Sequence, residues 1–319
     1  FRHEMKSRES GVPLRLLAAV IDLGTNAARL AMASLDESGN LVSRGRWREL
    51  VRLGEGLAAT GELSRPAMER GLEALKKFWK IIEEHSIDRL DVLATSALRE
   101  ASNGGEFIAE AKKLGIPLRI ISADEEARLA LAGVVGSIED FPEEALVFDI
   151  GGGSIELIRS QQGRVGAVVS IPAGVVYLTE RYLRDIPTPP EQVSVCAGQI
   201  RQMLDNIKKD QLKTEISSLI GCGGAVALAW FVREGIVGNL GINGELMTFK
   251  EIGAWVRKFS ALNVEKRGSL PGFEVGREDV ALAGLIFVEE IFKWTEKSSF
   301  RVSTGGVREG RLSELLQIL

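Results

Sequence analysis

One stretch, Phe148-Asp149-Ile150-Gly151-Gly152-Gly153-Ser154-Ile155-Glu156, restricts most strongly the folds open to this chain. The apolar residues 145–148 predict a buried strand, and the alternation after Ser154 predicts a second strand. Glycines lack a side chain, so the backbone between the strands can turn tightly and bring its N–H groups close to an anion. The carboxylate of Asp149 can hold the divalent cation that accompanies a phosphate. Taken alone, the motif fits a glycine-rich hairpin turn equally well.

A second copy of this construction lies near the N-terminus. The apolar residues 18–21 are followed by Asp22-Leu23-Gly24-Thr25-Asn26, and a further strand is predicted through Ala33. Arg29 comes three residues after Asn26, within reach of an anion held by that turn. Both units share the order apolar run, Asp, Gly, hydroxyl and second strand, which indicates an internal duplication.

Other apolar runs also end in loops of glycine or hydroxyl residues. The run 90–94 ends in Thr95-Ser96-Ala97-Leu98-Arg99, and two more end at 221–225 and 303–306. Hydroxyls at the carboxyl end of a strand, followed by an arginine, suit a phosphate because α/β sheets bind ligands in such crevices. Helix capping by Ser96 is an equal alternative. The sequence has no Gly-x-x-x-x-Gly-Lys segment, which excludes a Walker-type nucleotide site.

Two clusters of charged residues allow a structural and a functional interpretation. Asp124-Glu125-Glu126 follows the predicted strand 118–121. The sequence alone favours the structural interpretation, in which these acids lie in the first turn of a helix and stabilise its N-terminus. The extended stretch 41–53 contains Arg44, Arg46, Arg48 and Arg52. The alternation favours the solvated face of a strand, and the alternative is a basic wall for a polyanion.

Composition narrows the class of protein. Strands that alternate with helices predict an α/β fold, and two similar halves predict a cleft between two domains. The net charge of −4 argues against general nucleic-acid binding. The only histidines are His3 and His85, so a Ser-His-Asp triad or a histidine-built metal site has almost nothing to be made from. Acid–base chemistry is therefore expected from carboxylates.

The remaining counts predict a location. Cys196 and Cys222 form neither a disulfide framework nor a zinc-ligand pattern, and Cys222 is expected to be a small buried residue. Two isolated cysteines fit a reducing cytoplasm. The apolar residues 16–21 are interrupted by Asp22 and are too few to span a membrane. We therefore predict a cytoplasmic protein with no membrane partner.

These motifs resemble the exopolyphosphatase / guanosine pentaphosphate phosphohydrolase (Ppx/GppA) family of the actin-like ATPase superfamily. The resemblance implies two actin-like domains of ribonuclease-H-like topology with the active site in the cleft between them. The first domain would comprise residues 14–125 and the closing helix 307–319, and the second domain residues 126–306. The matching stretches occur in the expected order and are 19–29, 51–57, 94–103, 120–128, 148–156, 221–225 and 308–310.

The resemblance also implies roles for individual residues. Glu126 matches the catalytic base that deprotonates water, and Asp149 and Glu156 match acidic residues associated with a divalent cation such as Mg²⁺. The family commonly has an acidic residue where this chain has the loop 303–306, so no catalytic role is predicted for that loop. The residues that match phosphate-binding positions are Thr25, Asn26, Arg29, Ser96, Arg99, Gly151, Gly152, Gly153, Ser154 and Gly224.

The function implied by the resemblance is removal of the terminal phosphate of inorganic polyphosphate by a water that Glu126 activates. The alternative substrate is guanosine pentaphosphate, whose 5′-terminal phosphate the same site would hydrolyse. Two further alternatives are an actin-like kinase and a non-catalytic sensor of polyphosphate or of the nucleotide. A homodimer is possible, and the sequence does not predict the oligomeric state.

Overall fold

The computed structural model describes residues 16–207, 212, 216–236 and 240–317, in which strands alternate with helices. The strands are β1 (Ala18–Leu23), β2 (Ala27–Leu35), β3 (Leu41–Leu50), β4 (Arg89–Ala94), β5 (Leu118–Ile120), β6 (Glu144–Ile150), β7 (Ile155–Gln161), β8 (Arg164–Ile171), β9 (Ser218–Gly223), β10 (Leu246–Thr248) and β11 (Ser299–Val302). The described helices are α1 (Leu57–Thr60), α2 (Arg65–Glu83), α3 (Ser96–Glu100), α4 (Gly104–Lys113), α5 (Ala123–Val135), α6 (Val175–Tyr182), α7 (Pro190–Asp205), α8 (Gly224–Glu234), α9 (Phe249–Ala261), α10 (Val264–Gly268), α11 (Ala281–Thr295) and α12 (Val307–Leu315).

The two sheets repeat one strand order. The first sheet has the order β3-β2-β1-β4-β5, in which β1, β2 and β3 are antiparallel and β4 and β5 run parallel to β1. The second sheet has the order β8-β7-β6-β9-β11 with the same strand directions, and β10 is added at its edge. The predicted duplication and the predicted fold of two actin-like, ribonuclease-H-like domains are therefore confirmed.

A layer of two helices, α5 and α12, separates the sheets. Both helices share one apolar cluster with inward-facing residues of β1 and β6. The helices cross closely because small residues face each other: a Cβ on Gly310 would lie 2.0 Å from the carbonyl oxygen of Leu129. Two larger clusters fill the outer faces, one beneath α2 and one beneath α11. This layer fixes the distance between the sheets, and hence the width of the cleft above it.

The last helix contacts the first sheet. Arg311 on α12 donates from Nε to Asp91 on β4 over 2.7 Å, and Asp91 also accepts two bonds from Arg119. The proposed domain limits stay a prediction, and residues 14 and 319 lie outside the described residues. The sequence after Pro187-Thr188-Pro189-Pro190 predicts a helix to about Lys209. The observed helix α7 ends at Asp205, and Lys209 lies outside the described residues. No helix in the described part of the chain is long and apolar enough to cross a membrane.

Candidate active site

A cavity of about 370 Å³ opens between the two sheets. Its walls are the loops that follow β1, β4, β6, β9 and β11, together with β3 and the segment 274–277. These loops meet because the carboxyl ends of parallel strands lie at the same edge of a sheet. Of the predicted site residues, Arg99 and Glu156 do not line it. The other eleven do: Thr25, Asn26, Arg29, Ser96, Glu126, Asp149, Gly151, Gly152, Gly153, Ser154 and Gly224.

The predicted phosphate-binding loops of the two sheets are in direct contact. A Cβ on Gly153 would lie 2.4 Å from both the Ser96 hydroxyl oxygen and the Thr25 hydroxyl oxygen, so any larger residue would displace these hydroxyls. The carbonyls of residues 151–153 accept hydrogen bonds from the backbone N–H groups of residues 174–176 at the start of α6. This arrangement places two hydroxyls from the first sheet beside the glycine loop of the second, as a phosphate group requires.

Ser96 does not cap helix α3. Thr95 occupies the N-cap position, and Ser96 is the first helical residue, whose hydroxyl donates to Glu100 over 2.6 Å. The capping alternative for Ser96 is therefore wrong. By contrast, the N-cap residue of α5, Ser122, does cap its helix through the side chain, which accepts from the N–H of Glu125.

Glu126 lies in the first turn of α5 and is buried against the cavity. The carboxylate of the adjacent Glu125 instead pairs with Arg119, on the outer side of the helix. The pKa of Glu126 is raised to about 7, chiefly by burial, and the nearby charges of Asp22 and Asp149 contribute in the same direction. A carboxylate with a pKa near neutrality suits a general base. The surroundings of Glu126 thus favour a functional carboxylate over an ordinary acidic residue at a helix end.

Arg99 contacts Glu126 and not the cavity wall. Its Nη1 donates to the Glu126 carboxylate over 2.9 Å and to the carbonyl of Ile121 over 3.0 Å. The same guanidinium opposes the rise in the pKa of Glu126. Arg99 does not line the cavity, so the structure gives no support to its predicted contact with phosphate. Its hydrogen bond instead orients the Glu126 carboxylate.

Three further carboxylates surround Glu126. Asp22 and Asp149 end the equivalent strands β1 and β6 and face the cavity. Burial raises the pKa of both carboxyl groups. The pKa of Asp149 is raised to about 6, and the charge of Asp22 is the second largest cause after burial. Glu156 lies opposite Asp149 in the β6–β7 ladder, buried beneath the cavity wall, and accepts a bond from the hydroxyl of Ser170 over 2.9 Å. Burial raises the pKa of Glu156 to about 8.

A divalent cation fits part of this set. Within the described ranges, no three His, Cys, Asp or Glu side chains are arranged to hold a metal ion. Magnesium usually keeps several waters and needs only one or two carboxylates plus substrate oxygens. Asp149, with Asp22 beside it, meets that requirement because both carboxylates face the cavity and have few neutralising partners. Glu156 fits less well, since its carboxylate lies behind the wall and accepts the Ser170 hydroxyl.

Arginines dominate the other side of the cavity. The pKa of Arg29 is lowered to about 10, chiefly by burial, and the neighbouring charges of Arg277 and Arg308 contribute in the same direction. Glu274 and Glu309 offset part of this charge, but the guanidinium groups outnumber them, so this side is suited to a ligand with several negative charges. The arginines in the cavity wall are Arg29, Arg46, Arg48, Arg277 and Arg308.

Gly224 makes room for one of these arginines. A Cβ at position 224 would lie 2.1 Å from Nη1 of Arg277, so the guanidinium lies directly against the backbone at the start of α8. Arg277 in turn donates from Nε to the carboxylate of Glu274. The predicted phosphate contact of Gly224 is therefore accompanied by a packing role that the motif alone did not indicate.

The arginines of the β3 region divide between the two predicted roles. Arg44 is exposed and donates to Ser34, and Arg52, just beyond β3, pairs with Asp279, so these two agree with a solvated face. Arg46 and Arg48 line the cavity, which agrees with a basic wall. The preferred interpretation of a solvated face is thus wrong for Arg48, whose guanidinium is largely buried, whereas Arg46 is exposed and also lines the cavity.

Seven charged residues of the cavity were not assigned from the sequence. Signals existed for some: Arg46 and Arg48 alternate along β3, and Arg308-Glu309 directly follows the glycine loop of β11. The segment 274–277 shows no strand or helix periodicity and follows no apolar run, so its place in the cavity had no sequence signal. The seven residues are Asp22, Arg46, Arg48, Glu274, Arg277, Arg308 and Glu309.

Comparison with known proteins identifies the family. A sequence profile described as the Ppx/GppA phosphatase family matches residues 36–318. The chain belongs to the Ppx/GppA phosphatase family. A bifunctional 3-dehydroquinate synthase/phosphatase of Fusobacterium nucleatum is 31% identical over 311 residues, which cover 93% of this chain and 46% of that protein. The Ppx/GppA chain therefore spans about half the length of this curated relative.

Solved structures of Ppx/GppA proteins share the whole architecture. The family member from Aquifex aeolicus is 28% identical with a TM-score of 0.79, over 95% of this chain and 99% of that one. An exopolyphosphatase from Cytophaga hutchinsonii is 26% identical with a TM-score of 0.86, over 95% of this chain and 98% of that one. The resemblance inferred from the strand-end motifs is confirmed.

Proposed function

We propose that this Ppx/GppA protein is an exopolyphosphatase that hydrolyses the terminal phosphate of inorganic polyphosphate. One observation supports this most: a buried carboxylate with a pKa near neutrality, Glu126, lies beside glycine and hydroxyl loops in a cavity whose other side is lined with arginines. Such a cavity matches a polyanion at one side and a general base at the other. Cytoplasmic location and a homodimer stay predictions.

In the proposed reaction Glu126 takes a proton from a water molecule. The water oxygen forms a bond to the terminal phosphorus while the bridging P–O bond breaks, and its electron pair stays on the shortened chain. Arg99 holds the Glu126 carboxylate at 2.9 Å and so orients it toward the cavity. Phosphoryl transfer needs little covalent chemistry from the protein, so positioning and charge stabilisation by residues such as Arg29 would supply most of the rate.

Asp149, assisted by Asp22, would hold the Mg²⁺ that this chemistry implies. When bound, the cation would offset the charge of the phosphate oxygens and of the two buried carboxylates. The terminal phosphoanhydride of guanosine pentaphosphate has the same chemistry, so this nucleotide is kept as the alternative substrate.

Glu126→Gln tests the proposed base. We expect phosphate release from polyphosphate, with no acceptor present, to fall about a hundredfold to ten-thousandfold, as for other general bases. Binding of polyphosphate, measured by calorimetry, should change little because Gln keeps the shape of the side chain. Glu125→Gln is a matched control, since this adjacent acid pairs with Arg119 and does not line the cavity.

Two results would contradict the proposal. Parental turnover in the Glu126→Gln variant would show that another group activates water. A strict requirement for an acceptor in place of water would instead favour the kinase alternative. Assays with guanosine pentaphosphate under the same conditions decide between the two candidate substrates.

A further inference from the structure

One edge of the Arg48 side chain has no partner. The atoms Nε and Nη2 of Arg48 are buried and make no hydrogen bond to any part of the chain that the structure describes. These two N–H groups point the same way from the planar guanidinium and form the fork that binds two oxygens of one phosphate. Leaving such donors buried and unsatisfied is unfavourable, so the edge calls for a ligand.

The opposite side of the guanidinium is anchored. Nη1 of Arg48 donates to the carbonyl of Val275 over 3.0 Å and lies 3.6 Å from the carboxylate of Glu274. Glu274 also accepts from Arg277, so its charge is shared between two guanidinium groups. The anchoring fixes the direction of the free fork and leaves net positive charge at this part of the cavity wall.

Arg48 lies away from the proposed base. Arg48 on β3 lies directly opposite Arg29 on β2, and Arg29 lies directly opposite Asp22 on β1. Arg29 therefore lies between Arg48 and Asp22, and the charge of Asp22 acts on Glu126. A chain of phosphates that reaches from Glu126 past Arg29 therefore arrives at Arg48.

We propose that the free Nε–Nη2 edge of Arg48 binds a non-reacting phosphate of the substrate chain, on the arginine side of the cavity. This inference rests on the proposed exopolyphosphatase function and adds to it a residue that determines preference for substrates with several phosphates. Arg48 contacts no reacting atom in this arrangement, so it contributes to binding and not to the chemical step.

The test measures tripolyphosphate binding by calorimetry in the Glu126→Gln background, where hydrolysis is suppressed. Adding Arg48→Met should weaken binding about tenfold to a hundredfold, the range for a charge-assisted bidentate contact. Arg48→Lys keeps the charge without the fork and should recover only part of the affinity. In the otherwise parental protein, Arg48→Met should raise KM for tripolyphosphate by a similar factor and leave kcat nearly unchanged.

Two controls separate a phosphate contact from other effects. Arg44→Met removes a positive charge from the same strand, β3, at an exposed site that lies outside the cavity. Asp279→Asn breaks the pair with Arg52, a second link between the β3 region and the segment 274–279, without touching the cavity wall. Both should bind tripolyphosphate like the background protein.

The outcomes are distinguishable. Equal affinity in the Arg48→Met and Arg44→Met variants overturns the subsite and leaves the hydrolase proposal standing. A loss in Asp279→Asn as large as in Arg48→Met also overturns it, because the link between segments would then explain the effect. Failure of the Glu126→Gln protein to bind tripolyphosphate at all overturns the subsite together with the proposed function. Thermal melting confirms that each variant is folded.

Discussion

Glu126 shows how a side chain acquires chemistry from its surroundings. The residue starts as one of three consecutive acids in the first turn of a helix, where carboxylates are ordinary. Burial raises its pKa to about 7, and the charges of Asp22 and Asp149 act in the same direction. The guanidinium of Arg99 opposes both effects through a hydrogen bond of 2.9 Å. The protonation state of Glu126 near neutral pH therefore depends on one arginine.

Replacing Arg99 tests this dependence. Arg99 lowers the pKa of Glu126, so Arg99→Met should raise that pKa further above 7. The base acts in its ionised form, and kcat/KM should consequently rise with pH along a limb displaced to higher pH in the variant. At pH 7 we expect a loss of about tenfold or more, partly recovered at pH 9. Arg99→Lys should show a smaller displacement, and an unshifted limb in Arg99→Met would contradict the assignment.

At the scale of elements, the sequence predicts features that depend on a local residue pattern and does not predict those that depend on contacts between distant segments. The strand-end loops at Asp22, Thr95 and Asp149 were predictable because an apolar run followed by glycine or hydroxyl residues is a local signal. Helix α2 was predictable from another local signal, since Ser64 is a favourable N-cap residue and apolar residues follow it at helical spacing. The different roles of Arg44 and Arg48 were not, because a β-bulge at position 44 breaks the alternation of β3 and residues 274–275 approach only Arg48.

The crossing of α5 and α12 is another element that sequence alone does not reveal. Gly133 and Gly310 read as helix-weakening residues, yet each removes a clash with backbone of the partner segment. Because these helices form the layer between the sheets, a bulkier residue there should disturb the whole interior.

Gly310→Ala measures the importance of that crossing. The added Cβ would lie 2.0 Å from the carbonyl oxygen of Leu129, and backbone cannot rotate away as a side chain can. We expect the free energy of unfolding to fall by about 1–3 kcal/mol or more. Gly198→Ala in helix α7 is the matched control, since its Cβ meets nothing within 4 Å. That variant should be unchanged or more stable by up to about 1 kcal/mol in the same denaturation experiment, because alanine favours the helix. Equal effects in the two variants would disprove the steric argument.

Across the whole molecule, the duplicated topology holds opposite charges at equivalent positions. Asp22 at the end of β1 pairs across the ladder with Arg29, whereas Asp149 at the end of β6 pairs with Glu156. One half of the molecule thus balances its strand-end carboxylate internally, and the other half doubles the negative charge. The excess lies in the second sheet, where burial raises the pKa of Asp149 to about 6 and of Glu156 to about 8.

This excess of buried carboxylate predicts how stability responds to pH and to magnesium. Both groups have folded-state pKa values above the unfolded ones, so their contribution is fully present below about pH 4 and is lost as pH rises through 6 and 8. For Asp149 alone the loss is about 3 kcal/mol. A cation held by the ionised carboxylates should reverse it, so Mg²⁺ should raise Tm more at pH 8 than at pH 5, where protons compete. Asp149→Asn, measured by the same melts, should weaken both the pH dependence and the magnesium effect. An equal rise in Tm at both pH values, or in that variant, would mean that magnesium binds elsewhere.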